Sequence, residues 1–153
     1  MINSQINKEF YSSFFYLDMA NYYTDQSLNG FANWFNIQTQ EEYAHAMLFL
    51  QYLQLNGEKV VLEAIEKPAV VFKSHKHPLT AAYDHELLVT KSINEIYAVA
   101  FDMKDFKTMQ FLDWFVKEQA EEEHNVDELC KRFALFGGDA RGLYMLEQDL
   151  AGS

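Results

Sequence analysis

Four glutamates and one histidine occupy positions that helical periodicity would give to apolar residues. Along each of four predicted helices, apolar residues recur at alternating steps of three and four, and such a stripe is the face that packs into a core. Near mid-helix the stripes hold side chains that can bind metal instead: Glu9, Glu42, His45, Glu86 and Glu122. No lysine or arginine lies on a stripe to balance the four carboxylates.

Carboxylates buried in a core must either hold protons or bind cations, because an unpaired charge removed from water is strongly destabilising. Two divalent cations would balance the four charges. Carboxylate oxygens with one imidazole favour iron(II) or manganese(II) over structural zinc or copper(I), which prefer sulfur or more nitrogen. Two ions about 3.5 to 4 Å apart can share a carboxylate, and Glu42, central among the ligands, is the expected bridge. The sequence therefore predicts a two-metal centre.

The polar positions repeat along the chain with an offset of 77 residues. Adding 77 to the polar stripe positions of the first half gives those of the second half: Glu9, Glu42 and His45 become Glu86, Gln119 and Glu122. A lone Glu-x-x-His pattern is weak, because most such pairs lie on a helix surface, but the shared offset makes this one specific. Glu121-x-x-His124 has the same spacing and falls beside the stripe, which predicts a surface position for His124.

Glycine and proline mark where the helices begin and end. Gly30 and Gly57 punctuate the first part of the chain, Pro68 and Pro78 bracket a loop-like stretch, and neither residue type recurs before Gly137. Strands would need turn residues about every 8 to 12 positions, so the fold is predicted to be all-α. The predicted helices cover residues 2–26, 31–56, 79–103, 107–136 and, as a short fifth helix, 142–150.

These helices are predicted to form one four-helix bundle, with residues 1–153 as a single domain. The two helix–helix turns, near Leu28 and Asp105, also differ by 77, so each half is a hairpin with its polar groups roughly 21 to 28 Å from its turn. The connection from Gly57 to Pro78 spans 22 residues, enough to run the length of the bundle and leave helices two and three parallel. An approximate twofold axis then brings the polar groups to one level of the core.

Composition restricts the partners. Lysine and arginine total 12 against 23 aspartates and glutamates, a net charge of -11, which repels nucleic acids and attracts cations. No apolar run reaches the roughly 18 residues of a membrane span, and the polar start MINSQINKEF predicts no signal peptide. The single cysteine, Cys130, can form neither an internal disulfide nor a CxxC zinc site. We expect a cytoplasmic protein with neither a nucleic-acid nor a membrane partner.

The segments around these residues resemble the bacterial non-haem ferritins. The resemblance extends over essentially the whole chain and is strongest in NKEFYSSFFY, QEEYAHA, YDHELLVTKSINEI and WFVKEQAEEE. It implies a ferritin-like four-helix bundle with one long crossover between helices two and three and a short fifth C-terminal helix. It also implies a ferroxidase that oxidises Fe(II) with dioxygen, stores iron as a ferric mineral and assembles as a shell of 24 identical subunits.

The resemblance assigns a di-iron centre residue by residue. Each of two iron ions per subunit would have three protein ligands, one of them shared: Glu9, Glu42 and His45 for the first ion, and Glu42, Glu86 and Glu122 for the second. Gln119 would lie beside the pair, where oxygen binds. Haem is not expected, because the haem-binding bacterioferritins have methionine at the position of Tyr43, and Glu and His at those of Gln119 and Glu122.

The resemblance also implies a third iron site and a redox residue. Glu41, Glu118 and Glu121, with help from Glu122, would bind iron on the inner surface, and Tyr16 would be an electron donor near the centre. From the residues alone, Glu41 and Glu118 also fit a solvated acidic face, although they too differ by 77. A tyrosine on an apolar stripe, such as Tyr16, is more often a core residue than a redox partner.

Two other functions remain open. A di-metal oxidase acting on an organic substrate would need an apolar pocket beside the metals, and 13 phenylalanines and 9 tyrosines could line one. A structural shell subunit without oxidation chemistry should lack site ligands, and this chain lacks none. Outside the centre, we expect His75, His77 and His85 at the surface and Cys130 as a packed thiol.

Overall fold

The computed structural model describes residues 1–152, which form five helices and no strand. The helices are α1 (Ile2–Asp25), α2 (Asn29–Leu55), α3 (His77–Asp102), α4 (Phe106–Phe136) and α5 (Ala140–Ala151). The predicted all-α fold is confirmed, and every helix end lies within two residues of its predicted position. Pro78 lies in the first turn of α3 rather than before it, since its missing N–H would have no helical partner there. The last residue of the predicted domain, Ser153, lies outside the described residues.

Contacts between helices show that α2 and α3 run parallel. In the pairs of residues that contact each other, the residue number on α2 or α3 falls as the number on α1 rises. Both helices are therefore antiparallel to α1. The contacting pairs are Ser13–Thr39 and Tyr23–Phe31 between α1 and α2, and Gln5–Ser92 and Ser12–His85 between α1 and α3. The predicted parallel arrangement of the second and third helices is therefore confirmed.

The crossover between α2 and α3 follows α1 from one end to the other. Near the start of α1, the Asn3 side chain makes two hydrogen bonds of 2.9 Å with the backbone of Val61. Near its end, the Tyr23 hydroxyl donates to the His75 carbonyl at 2.6 Å. The side chain of Asn3 thus replaces the backbone partners that a segment without helix or strand lacks. The crossover runs the length of the bundle, as predicted.

The 77-residue repeat extends to the backbone of the two hairpin turns. Ser27, between α1 and α2, and Lys104, between α3 and α4, are the non-glycine residues with positive φ among those described, at 61° and 54°. Each is followed by a residue whose N–H donates back to the helix it leaves: Leu28 to Tyr23 at 2.9 Å and Asp105 to Ala100 at 2.8 Å. The two hairpins therefore have the same turn conformation, so that equivalent polar residues lie at equal distances from their own turns.

The apolar core is divided into two clusters along the bundle. The cluster nearer α5 includes Tyr16, Phe31, Phe35, Leu79 and Val126, and the other includes Ile6, Phe49, Ile93, Leu112 and Phe115. In the second cluster α2 and α4 meet through stacked rings, as in the Phe49–Phe115 pair at 4.1 Å between centroids. No helix within residues 1–152 combines the length and apolar character needed to cross a membrane.

Helix α5 docks on the start of α2. Its buried side chains Leu146 and Leu150 join the first cluster, and the Glu147 carboxylate accepts a hydrogen bond of 3.0 Å from the Phe31 N–H. No side chain of α2's own N-terminal residues caps this end, so Glu147 satisfies one of its free donors. A Cβ on Gly30 would lie 2.0 Å from the Glu147 carbonyl oxygen, so glycine is required for this close approach.

Replacing Gly30 by alanine should loosen or displace α5. The added methyl would overlap the α5 backbone, and overpacking of this kind costs about 1 to 3 kcal/mol. We expect a melting temperature at least about 2 °C below that of the wild type, measured by circular dichroism. Gly138→Ala is the matched control, because a Cβ there meets nothing within 4 Å. Equal melting temperatures for the two variants would contradict this account of the docking.

Candidate metal centre

Six polar side chains from the four long helices meet between the two apolar clusters. All are buried, with exposed fractions of 7% or less, although they carry polar or charged groups. They are Glu9 (1%), Glu42 (2%), His45 (6%), Glu86 (1%), Gln119 (4%) and Glu122 (3%). The predicted placement of these side chains at one level is therefore found in the structure, while their role as metal ligands stays a prediction.

The acidic and histidine side chains form two groups that share Glu42. Glu9, Glu42 and His45 have ligand atoms within 4.8 Å of one another, and so do Glu42, Glu86 and Glu122. Among residues 1–152 these are the groups of three or more such side chains close enough to hold one metal ion. Glu42 is thus the residue common to both groups, and its role as a bridge between two ions stays a prediction.

The His45 ring is fixed by aromatic neighbours. Trp114 and Phe115 of α4 contact it edge-on, at 5.5 and 5.9 Å between ring centroids. Its Nδ1 lies 3.4 Å from Oε2 of Glu42, one helical turn earlier. A Glu-x-x-His spacing brings both side chains to the same face of α2, so they can serve one ion.

Two buried carboxylate oxygens at the centre have no hydrogen-bond partner, namely Oε2 of Glu9 and Oε2 of Glu122. Buried polar atoms are nearly always paired, and an orphan calls for an explanation such as an ion. One orphaned oxygen lies in each group of three. The donor set, all carboxylate oxygen with one imidazole, fits hard or borderline divalent ions such as Fe(II).

Glu86, in contrast, is held by two protein donors. The buried Tyr16 hydroxyl donates to Oε1 of Glu86, and the Gln119 amide donates to Oε2 at 2.5 Å and to the Glu86 carbonyl at 3.0 Å. Both predicted residues therefore contact the centre through Glu86. These bonds orient the carboxylate before any ion arrives.

Burial raises the pKa of all four site glutamates. For Glu9, Glu42 and Glu86, removal from water is the largest cause. Burial, with repulsion from Glu86 and Glu41 next, raises the pKa of Glu122 to about 9. Glu122 can therefore retain its proton near neutral pH, and a divalent cation that binds there must displace it.

The residues of the predicted third site are less closely grouped. Glu41 and Glu118 are half-buried and lie near enough to Glu122 to raise its pKa. Glu121 is exposed, and no three of these carboxylates come within 4.8 Å of one another among the described residues. This site remains a prediction.

The structure also corrects the environment of one histidine. His85, expected at the surface, packs edge-on against Phe15 and Tyr16, and its Nε2 lies 2.7 Å from the Ser12 hydroxyl. His85 is half-buried rather than fully exposed, because Phe15 and Tyr16 of α1 pack against its ring. Burial lowers the pKa of His85 to about 4.

The other predictions outside the centre are largely met. His124 is 75% exposed, as predicted. His75 and His77 are half-buried, so they are less exposed than expected. Cys130 is half-buried and its thiol donates to the Leu79 carbonyl at 3.4 Å, as expected of a packed thiol.

Sequence analysis missed the buried polar residues that flank the centre on α1 and α3. Gln5, Ser12 and Ser92 are 1%, 0% and 9% exposed, and Gln5 donates to Glu9 Oε1 at 3.0 Å. The stripes could not reveal them, because each of the three lies beside its helix's predicted stripe and not on it. The one available signal was that Gln5 precedes Glu9 by four residues, which places it on the same face of α1.

The chain is similar to known proteins over nearly its whole length. Residues 1–136 match the family described as "Ferritin-like domain". A "Probable bacterial non-heme ferritin-like protein" from Haemophilus influenzae is 37% identical over 150 residues, which cover 98% of this chain and 91% of that protein. A "Bacterial non-heme ferritin" from Campylobacter jejuni is 34% identical over 148 residues, or 97% and 89%. An open pore ferritin from Archaeoglobus fulgidus superposes with a TM-score of 0.95 at 40% identity, over 98% of this chain and 92% of that chain.

A pH series on the metal-free protein tests the raised pKa values. Between pH 7 and 9 an unfolded glutamate is ionised, whereas folded Glu122, with its pKa raised to about 9, still holds a proton. The folded state then binds more protons than the unfolded state, so its stability falls as pH rises. We expect the melting temperature of chelator-treated protein to fall by several degrees across this window.

Two controls isolate the cause of that fall. Glu122→Gln, which cannot ionise, should weaken the pH dependence, and saturating Mn(II) should raise the melting temperature most at pH 9. His85 does not contribute in this window, because its pKa is about 4. A melting temperature that rises from pH 7 to 9 in the absence of metal would contradict the burial of these carboxyl groups.

Proposed function

The chain belongs to the ferritin family, and from that premise we propose that it oxidises Fe(II) with dioxygen at a di-iron centre and stores the iron as a ferric mineral inside a protein shell. The observation that supports this most is the pair of three-residue groups that share Glu42 in a buried layer. An iron substrate pair with one bridging carboxylate is the arrangement that such a layer favours.

The residues would divide between two Fe(II) substrate ions. Glu9 and His45 would bind the first, Glu86 and Glu122 the second, and Glu42 both. Each Fe(II) supplies one electron, so the pair supplies two for the reduction of dioxygen. The orphaned oxygens of Glu9 and Glu122 would accept the ions directly, and the protons that the carboxyl groups hold would leave as the ions bind.

Gln119 and Tyr16 would act beside the pair rather than as principal ligands. Gln119 holds Glu86 through its amide, which fixes that ligand while dioxygen approaches. Tyr16 donates its hydroxyl hydrogen to Glu86, so a proton acceptor is in place when the phenol gives up an electron. Burial, with repulsion from Glu86 and Glu42, raises the pKa of Tyr16 well above its usual value, which keeps the phenol protonated until then.

Fe(III) would leave the centre along the acidic residues beside Glu122. Glu41 and Glu118 are the half-buried members of this set and Glu121 the exposed one. A row of carboxylates that runs from a buried to an exposed position offers successive oxygen ligands to a hard cation. We assign these three residues to a third, transfer site.

An oxidase acting on an organic substrate is less well supported. The cleft of about 500 Å³ between α1, α3 and the crossover includes Gln5, Lys8 and His85, but none of the four site glutamates lines it. A shell subunit without oxidation chemistry would have no need for the buried carboxylates. Iron oxidation is therefore the function that we retain.

Replacement of Glu42 by alanine should abolish fast Fe(II) oxidation, since both ions lose a ligand. We expect the initial rate, followed by absorbance of Fe(III) under air, to fall at least about 100-fold, because changes to outer-shell residues alone cost about 10- to 100-fold. His124→Ala, in the exposed Glu-x-x-His pattern, is the matched control and should keep the wild-type rate. An unchanged rate for Glu42→Ala would remove the assigned centre.

The storage role depends on a shell, and particle size tests it. A shell of 24 copies of the 17.9 kDa chain would have a mass of about 430 kDa. We expect wild-type and Glu42→Ala proteins to elute at this size in size-exclusion chromatography with light scattering. A stable monomer or dimer would exclude mineral storage while leaving the oxidation chemistry open.

A further inference from the structure

We propose that Lys8, Ser92 and Gln5 form a hydrogen-bonded chain that positions Glu9 for metal binding. The chain begins at an exposed lysine and ends at a carboxylate in the core. The inference rests on the proposed function, because Glu9 is one of the residues assigned there to the first Fe(II). Lys8, Ser92 and Gln5 are positioning residues, since they act on the ion through Glu9.

Three distances define the chain. Lys8 Nζ donates to Ser92 Oγ at 3.0 Å, Ser92 Oγ donates to Gln5 Oε1 at 2.6 Å, and Gln5 Nε2 donates to Glu9 Oε1 at 3.0 Å. Ser92 and Gln5 are buried, with 9% and 1% of their surface exposed. The Glu9 oxygen that Gln5 does not contact, Oε2, is the orphaned one. One oxygen of Glu9 is therefore held by the protein and the other is left for an ion.

The donors and acceptors favour one direction along the chain. An ammonium group only donates, so Ser92 must accept from Lys8, and the single hydroxyl hydrogen of Ser92 is then free for Gln5. Gln5 accepts it through its amide oxygen, which leaves the amide NH₂ to face Glu9. Ser92 has a second acceptor lone pair, so a flipped Gln5 amide could also donate to it, but the amide oxygen would then face and repel the ionised Glu9 carboxylate. The ammonium of Lys8 polarises the Ser92 hydroxyl and makes it a stronger donor to Gln5. Lys8 and Glu9 thus favour, from opposite ends, the amide orientation in which the NH₂ faces Glu9.

The two halves of the centre differ in how their carboxylates are held. Glu86 is oriented from within the core by Tyr16 and Gln119, whereas Glu9 is oriented from the surface cleft through Gln5. Disruption of the chain should therefore affect the ion held by Glu9, Glu42 and His45 and spare the ion held by Glu42, Glu86 and Glu122. This selectivity separates positioning from a general structural role.

Titration of the metal-free full-length protein with Co(II) tests the chain without any turnover. Visible absorption of Co(II) reports ligand geometry, and we expect two ions per wild-type subunit. Gln5→Leu keeps the volume and removes both hydrogen bonds, so one of the two ions should bind about 10- to 100-fold more weakly. The other should keep its affinity and its spectrum.

A second set of variants concerns the exposed end and does not disturb the core. Lys8→Met should weaken the same ion as Gln5→Leu and alter its spectrum, and Lys8→Arg, which retains the charge and the donors, should restore both. Lys91→Met is the matched control, because Lys91 lines the same cleft and takes no part in the chain. It should bind both ions like the wild type.

Three results would overturn the chain: Gln5→Leu binding both ions like the wild type, Gln5→Leu weakening both ions equally, or Lys8→Met matching Lys91→Met. If Gln5→Leu fails to fold, the Lys8 variants alone test the hydrogen-bonded chain. Failure of the proposed function is distinct, since it would appear as wild-type protein that binds two Co(II) but does not oxidise Fe(II). Wild-type protein that binds no Co(II) would contradict both proposals.

Discussion

Four carboxyl groups share one layer of an otherwise apolar core, and the free energy of removing them from water governs the rest of the molecule. Burial is the largest cause of the raised pKa at Glu9, Glu42, Glu86 and Glu122 alike. Among residues 1–152, no lysine or arginine side chain is buried with them. The negative charge of this layer can be removed by bound protons or balanced by bound cations. A divalent ion that displaces the protons also binds the carboxylate oxygens that have no hydrogen-bond partner. A metal centre would balance the buried negative charge and also pair the carboxylate oxygens that lack a hydrogen-bond partner.

The fold places these groups at one level by using the same hairpin twice. Ser27 and Lys104 adopt the same left-handed backbone at equivalent turns, so helical rise alone brings each hairpin's polar residues to the same height. The long crossover then leaves α2 parallel to α3. The halves remain chemically unequal, because His45 is matched by Glu122 and Glu42 by Gln119. That inequality would give each ion of the proposed pair its own ligand set around one shared carboxylate.

Most of the fold and much of the centre follow from the sequence for identifiable reasons. Long stripes with Gly30, Gly57 and Pro78 near their ends define helices to within two residues, because glycine and proline are concentrated at helix ends. The prediction that Glu9 and Glu86 lie at the same level of the core required only the 77-residue offset between them. The environment of His85 could not be obtained in this way, because it depends on how α1 packs against α3. The chain through Gln5 depends on contacts between helices that no periodicity encodes.

Diffraction from crystals soaked in Fe(II) without air, recorded at the iron absorption edge, tests the central claim most directly. The account predicts two anomalous peaks per subunit, about 3.5 to 4 Å apart, on either side of the Glu42 carboxylate. One peak should lie beside His45 and the other beside Glu122. Peaks confined to exposed carboxylates such as Glu121, or an iron-free layer in which the carboxyl groups pair with one another, would contradict it.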